Sequence, residues 1–142
     1  MEWGSDDWGN GIAVDSSGNV YVAGKSYNGS NDDCLTIKYD STSGDTVWQK
    51  LWNGGSDDRG NGIAVDSSGN VYVTGMSSGL NTDCLTIKYN SSGDTVWQKL
   101  WNGGSDDMGN GIAVDSSGNV YVAGGSYNGA NWDYLTIKYR QY

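Results

Sequence analysis

The sequence predicts an all-β fold made of three similar antiparallel units, and three observations support this prediction. The segment GNGIAVDSSGNVYV occurs unchanged at 9–22, 60–73 and 109–122, so its copies lie 51 and 49 residues apart. A fixed period of roughly 20 to 50 residues is typical of repeat architectures. The 142 residues include 23 glycines and no proline, which suits short strands and tight turns within one domain.

The first two strands of each unit come from the shared segment. Residues 10–15, NGIAVD, are almost continuously apolar, which is typical of a strand covered on both faces. Residues 19–24, NVYVAG, alternate valine with other residues, as expected for a strand with two different faces. The intervening DSSGN predicts a hairpin turn, because Asp15 can accept hydrogen bonds from the backbone that follows and Gly18 can adopt a positive φ.

The third and fourth strands are predicted from the same alternation. Residues 34–39, CLTIKY, place leucine, isoleucine and tyrosine on one face. Residues 46–52, TVWQKLW, place two tryptophans and a lysine opposite valine, glutamine and leucine. Gln49 and Lys50 suit an outer edge, since polar and charged side chains discourage further strand pairing. The increase in polarity therefore predicts that the first strand is innermost and the fourth outermost.

The repeat divides one domain, 1–142, into three units at approximately 4–52, 53–101 and 102–142. The third unit ends with LTIKYRQY, and we expect it to lack its fourth strand. Four antiparallel strands in a repeat of about 50 residues, with the most buried strand first, describe the blade of a β-propeller.

The repeat also resembles a known family. GNGIAVDSSGNVYVAG, followed by LTIKYDSTSGDTVWQKLWNGGSDD, is similar to the seven-bladed β-propeller (SBBP-type) repeat of bacterial and archaeal proteins, and its core resembles the NHL repeat. The resemblance covers essentially the whole chain and implies a β-propeller fold. It also implies an architectural role and an extracytoplasmic or secreted location, although a fold alone does not define an activity.

The number of units makes a prediction about assembly. Propellers typically have about four to eight blades, and an incomplete ring leaves the apolar faces of its end blades in water. Three blades are too few for one chain to close. We therefore predict that the chain is its own partner, in a head-to-tail homodimer that closes a six-bladed ring, blade three of each copy packing on blade one of the other.

Charge excludes some partners. The formal net charge of −9 disfavours binding to nucleic acid or to an anionic membrane surface. No apolar run approaches the roughly 18 to 20 residues of a membrane span. We predict neither nucleic-acid binding nor membrane insertion.

A glycine-rich loop with adjacent carboxylates precedes each shared segment. WNGGSDDRGNG at 52–62 returns at 101–111 with methionine for arginine, and in shortened form near the start of the chain. It predicts a corner between blades, stabilised by turn carboxylates, with a ligand-binding role as the alternative. Calcium is a second alternative, but the pattern lacks the spacing of a calcium loop, so no metal or cofactor is predicted. The carboxylates are Asp6, Asp7, Asp57, Asp58, Asp106 and Asp107.

Residues that differ between copies are candidate ligand contacts. One variable position lies within the glycine-rich loop, and a second, occupied by Asp32, Thr82 and Trp132, lies just before the third strand. Exposed aromatic residues beside Asn and Asp are typical of glycan-binding or peptide-binding surfaces. The alternative is that these side chains pack on neighbouring blades. The candidates are Trp8, Tyr27, Arg59, Met108, Tyr127 and Trp132.

Catalysis has little support in the sequence. The chain has no histidine, and Glu2 is its only glutamate, so the usual nucleophile–base arrangements are not available. Cys34 and Cys84 occupy equivalent positions on neighbouring blades, which diverge radially, so we expect free thiols. We predict a non-enzymatic scaffold, with lectin-like glycan or small-ligand binding at the inter-blade loops as the alternative.

Identity between the copies extends to positions expected on the surface. It indicates either recent amplification or deliberate construction from a single blade, and the differences at the two variable positions argue against a purely constructed repeat.

Overall fold

A computed structural model describes residues 6–141, which form eleven strands in three antiparallel sheets. Each sheet is one blade, with its strands paired in chain order from the inner to the outer edge. Blade one contains β1 (Asp7–Val14), β2 (Val20–Tyr27), β3 (Asp32–Tyr39) and β4 (Thr46–Trp52). Blade two contains β5 (Asp58–Val65), β6 (Val71–Ser78), β7 (Thr82–Tyr89) and β8 (Thr95–Trp101). Blade three contains β9 (Asp107–Val114), β10 (Val120–Tyr127) and β11 (Trp132–Tyr139).

The predicted strand order is confirmed, and blade three has three strands within residues 6–141. The strands of sequence TVWQKLW lie at the outer edges of blades one and two, where Gln49 and Gln98 are exposed. In the described residues, β11 is the outermost strand of blade three.

The first strand of each blade begins earlier than the apolar pattern indicates. β1 starts at Asp7 and continues through the glycine-rich segment, because a bulge leaves Asn10 as an extra residue between Gly9 and Gly11. Gly9 pairs with Gly24, and the backbones approach so closely that a Cβ at Gly24 would lie 1.8 Å from the Trp8 carbonyl oxygen. Glycine is therefore required at this position for steric reasons.

The predicted hairpin turns are confirmed in all three blades. In blade one, an Asp15 carboxylate oxygen accepts hydrogen bonds from the Ser17 and Asn19 backbone N–H groups, at 2.9 Å each, and Gly18 has φ 85°. The other oxygen accepts from the Tyr21 hydroxyl at 2.9 Å. The turn thereby holds a core tyrosine in place.

The apolar core consists of two layers, each between neighbouring blades. In the first layer, Tyr21, Ala23 and Cys34 of blade one are buried against Val73 and Leu85 of blade two. In the second layer, Tyr72 and Cys84 of blade two are buried with Val120, Val122 and Leu135 of blade three. We call the side of a blade that contacts the preceding blade its leading face, and the opposite side its trailing face.

Both cysteines lie on trailing faces as free, buried thiols, as predicted. Within residues 6–141, no helix is long and apolar enough to cross a membrane.

Candidate functional site

The first carboxylate of the SDD motif connects two blades at both internal junctions. Asp57 accepts a hydrogen bond from the Asp32 backbone N–H at 3.0 Å, and Asp106 accepts from the Thr82 N–H at 2.9 Å. Each bond joins the loop that leads into one blade to the start of the third strand of the preceding blade. Asp6 occupies the same position ahead of blade one and is exposed.

The second carboxylate holds the corner itself. Asp58 and Asp107 are fully buried, and each accepts a hydrogen bond from a loop glycine N–H, Gly54 and Gly103 respectively, at 2.6 Å. Burial raises the pKa of Asp58, and the negative charges of Asp33 and Asp57 raise it further. These contacts support the interpretation of the loop as a structural corner.

Asparagine side chains form a second set of inter-blade hydrogen bonds, near the inner strands. Asn10 Nδ2 donates to the Gly60 carbonyl at 3.0 Å, and Asn61 Nδ2 donates to the Gly109 carbonyl at 2.9 Å. Asn110 is the third member of this series, and it is exposed. The same hydrogen bond from asparagine to a backbone carbonyl thus occurs at both junctions, and blade three carries the equivalent asparagine in β9.

The leading face of blade one differs from those of the other blades in its exposure. Ile12 is 74% exposed and Val14 is also exposed. The equivalent Ile63 and Val65 of blade two are partly buried and pack against blade one. Identical residues on equivalent strands therefore differ in exposure, because no blade precedes blade one in the described residues.

The trailing face of blade three shows the complementary difference. Ala123, Tyr134 and Thr136 are exposed there. The corresponding positions of blade one, including Ala23 and Cys34, are completely buried beneath blade two. Considering residues 6–141 alone, one leading face and one trailing face are thus uncovered.

The predicted ligand residues are distributed over the blades. Trp8 and Tyr27 are exposed on blade one, and Arg59 is half-buried on blade two. Met108, Tyr127 and Trp132 all belong to blade three, so only half of the set lies on one blade.

An aromatic depression lies on blade three. The rings of Tyr127 and Trp132 have centroids 5.6 Å apart at an angle of 48°. A depression of about 340 Å³ beside them is lined by Met108, Asn110, Gly124, Gly125, Trp132, Asp133 and Tyr134. Carbohydrates and aromatic ligands bind to such combinations of aromatic rings and amide or carboxylate groups.

Of the residues that line this depression, only Met108 and Trp132 were candidates from the sequence. The other five were missed, namely Asn110, Gly124, Gly125, Asp133 and Tyr134. In blade one the position equivalent to Gly125 is Lys25, which forms an ion pair with Asp32 at 2.6 Å. In blade three a Cβ at Gly125 would lie 3.0 Å from the Trp132 ring, so glycine makes room for the indole. The change from Lys25 to Gly125 between the copies is the sequence signal that an ion pair in blade one is replaced by an aromatic contact site in blade three.

Comparison with known proteins agrees with the architecture. The family described as the beta-propeller repeat (SBBP) matches residues 4–30, 49–81 and 97–129, one match for each repeat. The chain belongs to this beta-propeller repeat family. The repeat indicates a scaffold or interaction module. No curated protein gives a significant match to the sequence.

Proposed function

We propose that the chain is a non-enzymatic, self-assembling scaffold, in which two copies close a six-bladed ring. In this ring the trailing face of blade three of each copy covers the leading face of blade one of the other. The observation that carries the proposal is the contrast between Ile12 and Ile63, which occupy equivalent positions but differ in burial. An apolar face that is covered at each internal junction and left open at one end fits a second copy of the same repeat.

Hydrogen-bonding groups at the two ends are complementary as well. Asn110 is positioned like Asn10 and Asn61, so in the ring its amide would donate to the Gly9 carbonyl of the other copy. Asp6 would accept from the backbone N–H of Trp132, as Asp57 and Asp106 accept at the internal junctions.

Backbone spacing supports the same arrangement. A Cβ at Gly11 or Gly62 would lie 2.9 Å from a carbonyl oxygen of the next blade, whereas the space beside Gly111 is open. The inner strand of blade three therefore leaves room for the backbone of another blade.

The test is the absolute mass in solution, measured by light scattering on a sizing column over a dilution series. We expect twice the mass of the 15.2 kDa chain. Ile12→Asp should shift the equilibrium to the monomer, because it places a carboxylate in the apolar junction. Leu80→Asp is the matched control, since Leu80 is fully exposed on a loop, and it should leave the mass unchanged. A wild-type chain that remains monomeric at all concentrations would refute the proposal.

The depression on blade three supports a second function, binding of a glycan or small ligand. Its support is the proximity of Tyr127 and Trp132 beside Met108 and Asp133. Titration of a glycan panel should change tryptophan fluorescence in the wild type and not in Trp132→Ala, with Trp8→Ala as the control on another blade. Because the depression includes part of the trailing face, ring closure should compete with such a ligand. If no glycan of the panel changes the tryptophan fluorescence of a monomeric variant such as Ile12→Asp, this function would be contradicted.

A further inference from the structure

The outer edge of β11 is unpaired within the described part of the chain. β3 and β7, its equivalents in blades one and two, pair with β4 and β8 along the same edge. An unpaired edge presents backbone N–H and C=O groups that can bind a further strand. In the described residues, blade three thus leaves open the strand edge that β4 and β8 occupy in blades one and two.

Five consecutive residues of this edge are the same in all three blades. LTIKY occurs at 35–39, 85–89 and 135–139. In both complete blades the strand that binds it is TVWQKLW, in antiparallel register, with Leu35 opposite Leu51 and Leu85 opposite Leu100. Because LTIKY pairs with TVWQKLW in blades one and two, we expect a strand of this sequence to fit the edge of β11 in blade three.

Aromatic contacts favour the same occupant. Trp48 of β4 lies 6.4 Å from the Tyr21 ring, and Trp97 of β8 lies 6.5 Å from the Tyr72 ring. On blade three, Tyr121 is the equivalent tyrosine; Lys138 lies over its ring at 5.2 Å, as in the other blades, and the residue is only half-buried. Blade three therefore presents the tyrosine that contacts the first tryptophan of TVWQKLW, but the described residues place no tryptophan against it.

Tyr134 extends this surface at the other end of the edge. Cys34 and Cys84, which occupy its position in the other blades, lie directly opposite the last tryptophan of TVWQKLW. Tyr134 is fully exposed. A strand in the same register would place its last tryptophan opposite this tyrosine, and a cross-strand aromatic pair is favourable.

We propose that the edge of β11 is a docking site for an extended segment with the alternating pattern T-V-W-Q-K-L-W, supplied from outside residues 6–141. The segment would bind antiparallel to β11 and complete blade three by strand addition. Its tryptophans would lie on the trailing face, against Tyr121 and Tyr134. Strand docking does not require ring closure, because the backbone of the strand pairs with the outer edge of the sheet, whereas a second copy would cover its face.

The experiment uses the full chain and a fluorescein-labelled synthetic peptide, TVWQKLW. Fluorescence anisotropy should show saturable binding that unlabelled peptide reverses. Hydrogen exchange should show new protection of β11 amides on addition of the peptide. The peptide TVWPKLW should not compete, because proline removes a backbone donor and disrupts strand pairing.

Substitutions in the chain test the register. Tyr134→Ala should weaken peptide binding about two- to tenfold, the range expected for loss of one aromatic pair. Tyr27→Ala is the matched control, since Tyr27 is an exposed tyrosine on blade one, and it should have no effect. No saturable binding, equal competition by TVWPKLW, or protection confined to blades one and two would overturn the inference. The mass measurement reports separately on ring closure, so the two proposals can fail independently.

Discussion

Trp48 in the outer strand of blade one contacts Tyr89 of blade two, with ring centroids 5.9 Å apart. Trp97 repeats this contact with Tyr139 of blade three at 5.6 Å. Trp48 also donates its indole N–H to the Ser91 carbonyl at 3.2 Å. The outer strands therefore connect blade one to blade two and blade two to blade three, even though alternate side chains such as Val47, Gln49 and Leu51 are exposed.

The first prediction concerns this inter-blade contact. Trp48→Ala should lower the free energy of unfolding by about 3 kcal/mol, at the low end of the range for a large aromatic residue because Trp48 is only partly buried. Urea denaturation followed by circular dichroism measures the change. Trp8→Ala is the control; Trp8 is exposed, so its loss should change stability by less than about 0.5 kcal/mol. Equal effects of the two substitutions would show that Trp48 does not join the blades.

The second prediction tests the close approach of the first two strands. A Cβ at Gly75 would lie 1.8 Å from the Arg59 carbonyl oxygen, so backbone atoms would have to move. Gly75→Ala should therefore destabilise the fold by about 3 kcal/mol or more. Gly79→Ala is the matched control, because the nearest atom to its Cβ is 3.4 Å away. The two urea midpoints should differ clearly, and coincident midpoints would contradict the bulged pairing.

Sequence and structure agree where local pattern determines the outcome. The DSSGN turns follow from the bonding capacity of Asp15 and the φ of Gly18, and the outer position of TVWQKLW follows from Gln49 and its neighbours. The exposure of Ile12 does not follow from its local sequence, because the same residues are covered or uncovered according to which blade lies beside them. The depression on blade three was predicted only in part. Trp132 was a candidate from the sequence, but Gly125, which makes room for its indole, lies on the neighbouring strand and belongs to no local pattern.

The third prediction concerns acid stability. Hydrogen bonds from Asn119 and Tyr121 lower the pKa of Asp115 to about 2. For Asp66, burial raises the pKa, but hydrogen bonds from Asn70 and Tyr72 lower it more, so the result is below the usual value. Carboxylates with lowered pKa stabilise the fold above their unfolded pKa, and this stabilisation is lost as pH falls through the folded pKa.

Unfolding midpoints should therefore fall as pH decreases from about 4 towards 2, the interval between the unfolded value and that of Asp115. Asp58 acts in the opposite direction, because a raised pKa favours the folded state at lower pH. Tyr72→Phe removes one hydrogen bond to Asp66, and it should reduce the dependence of the midpoint on pH. An unchanged pH dependence in this variant would show that the bond between Tyr72 and Asp66 does not contribute to acid stability.

The fourth prediction uses the two thiols as reporters of blade packing. Burial raises the pKa of Cys34 to about 12 and that of Cys84 to about 11, and nearby carboxylates, Asp58 and Asp107 respectively, contribute further. Only the thiolate reacts with disulfide reagents, so both residues should be unreactive in the folded chain at mildly alkaline pH. Denaturant should release both, in parallel with the loss of circular dichroism. Cys84→Ser separates the two sites, because it leaves Cys34 to report the junction between blades one and two alone. Rapid reaction of this single thiol under native conditions would mean that this junction opens in solution and that the blades do not pack as a continuous unit.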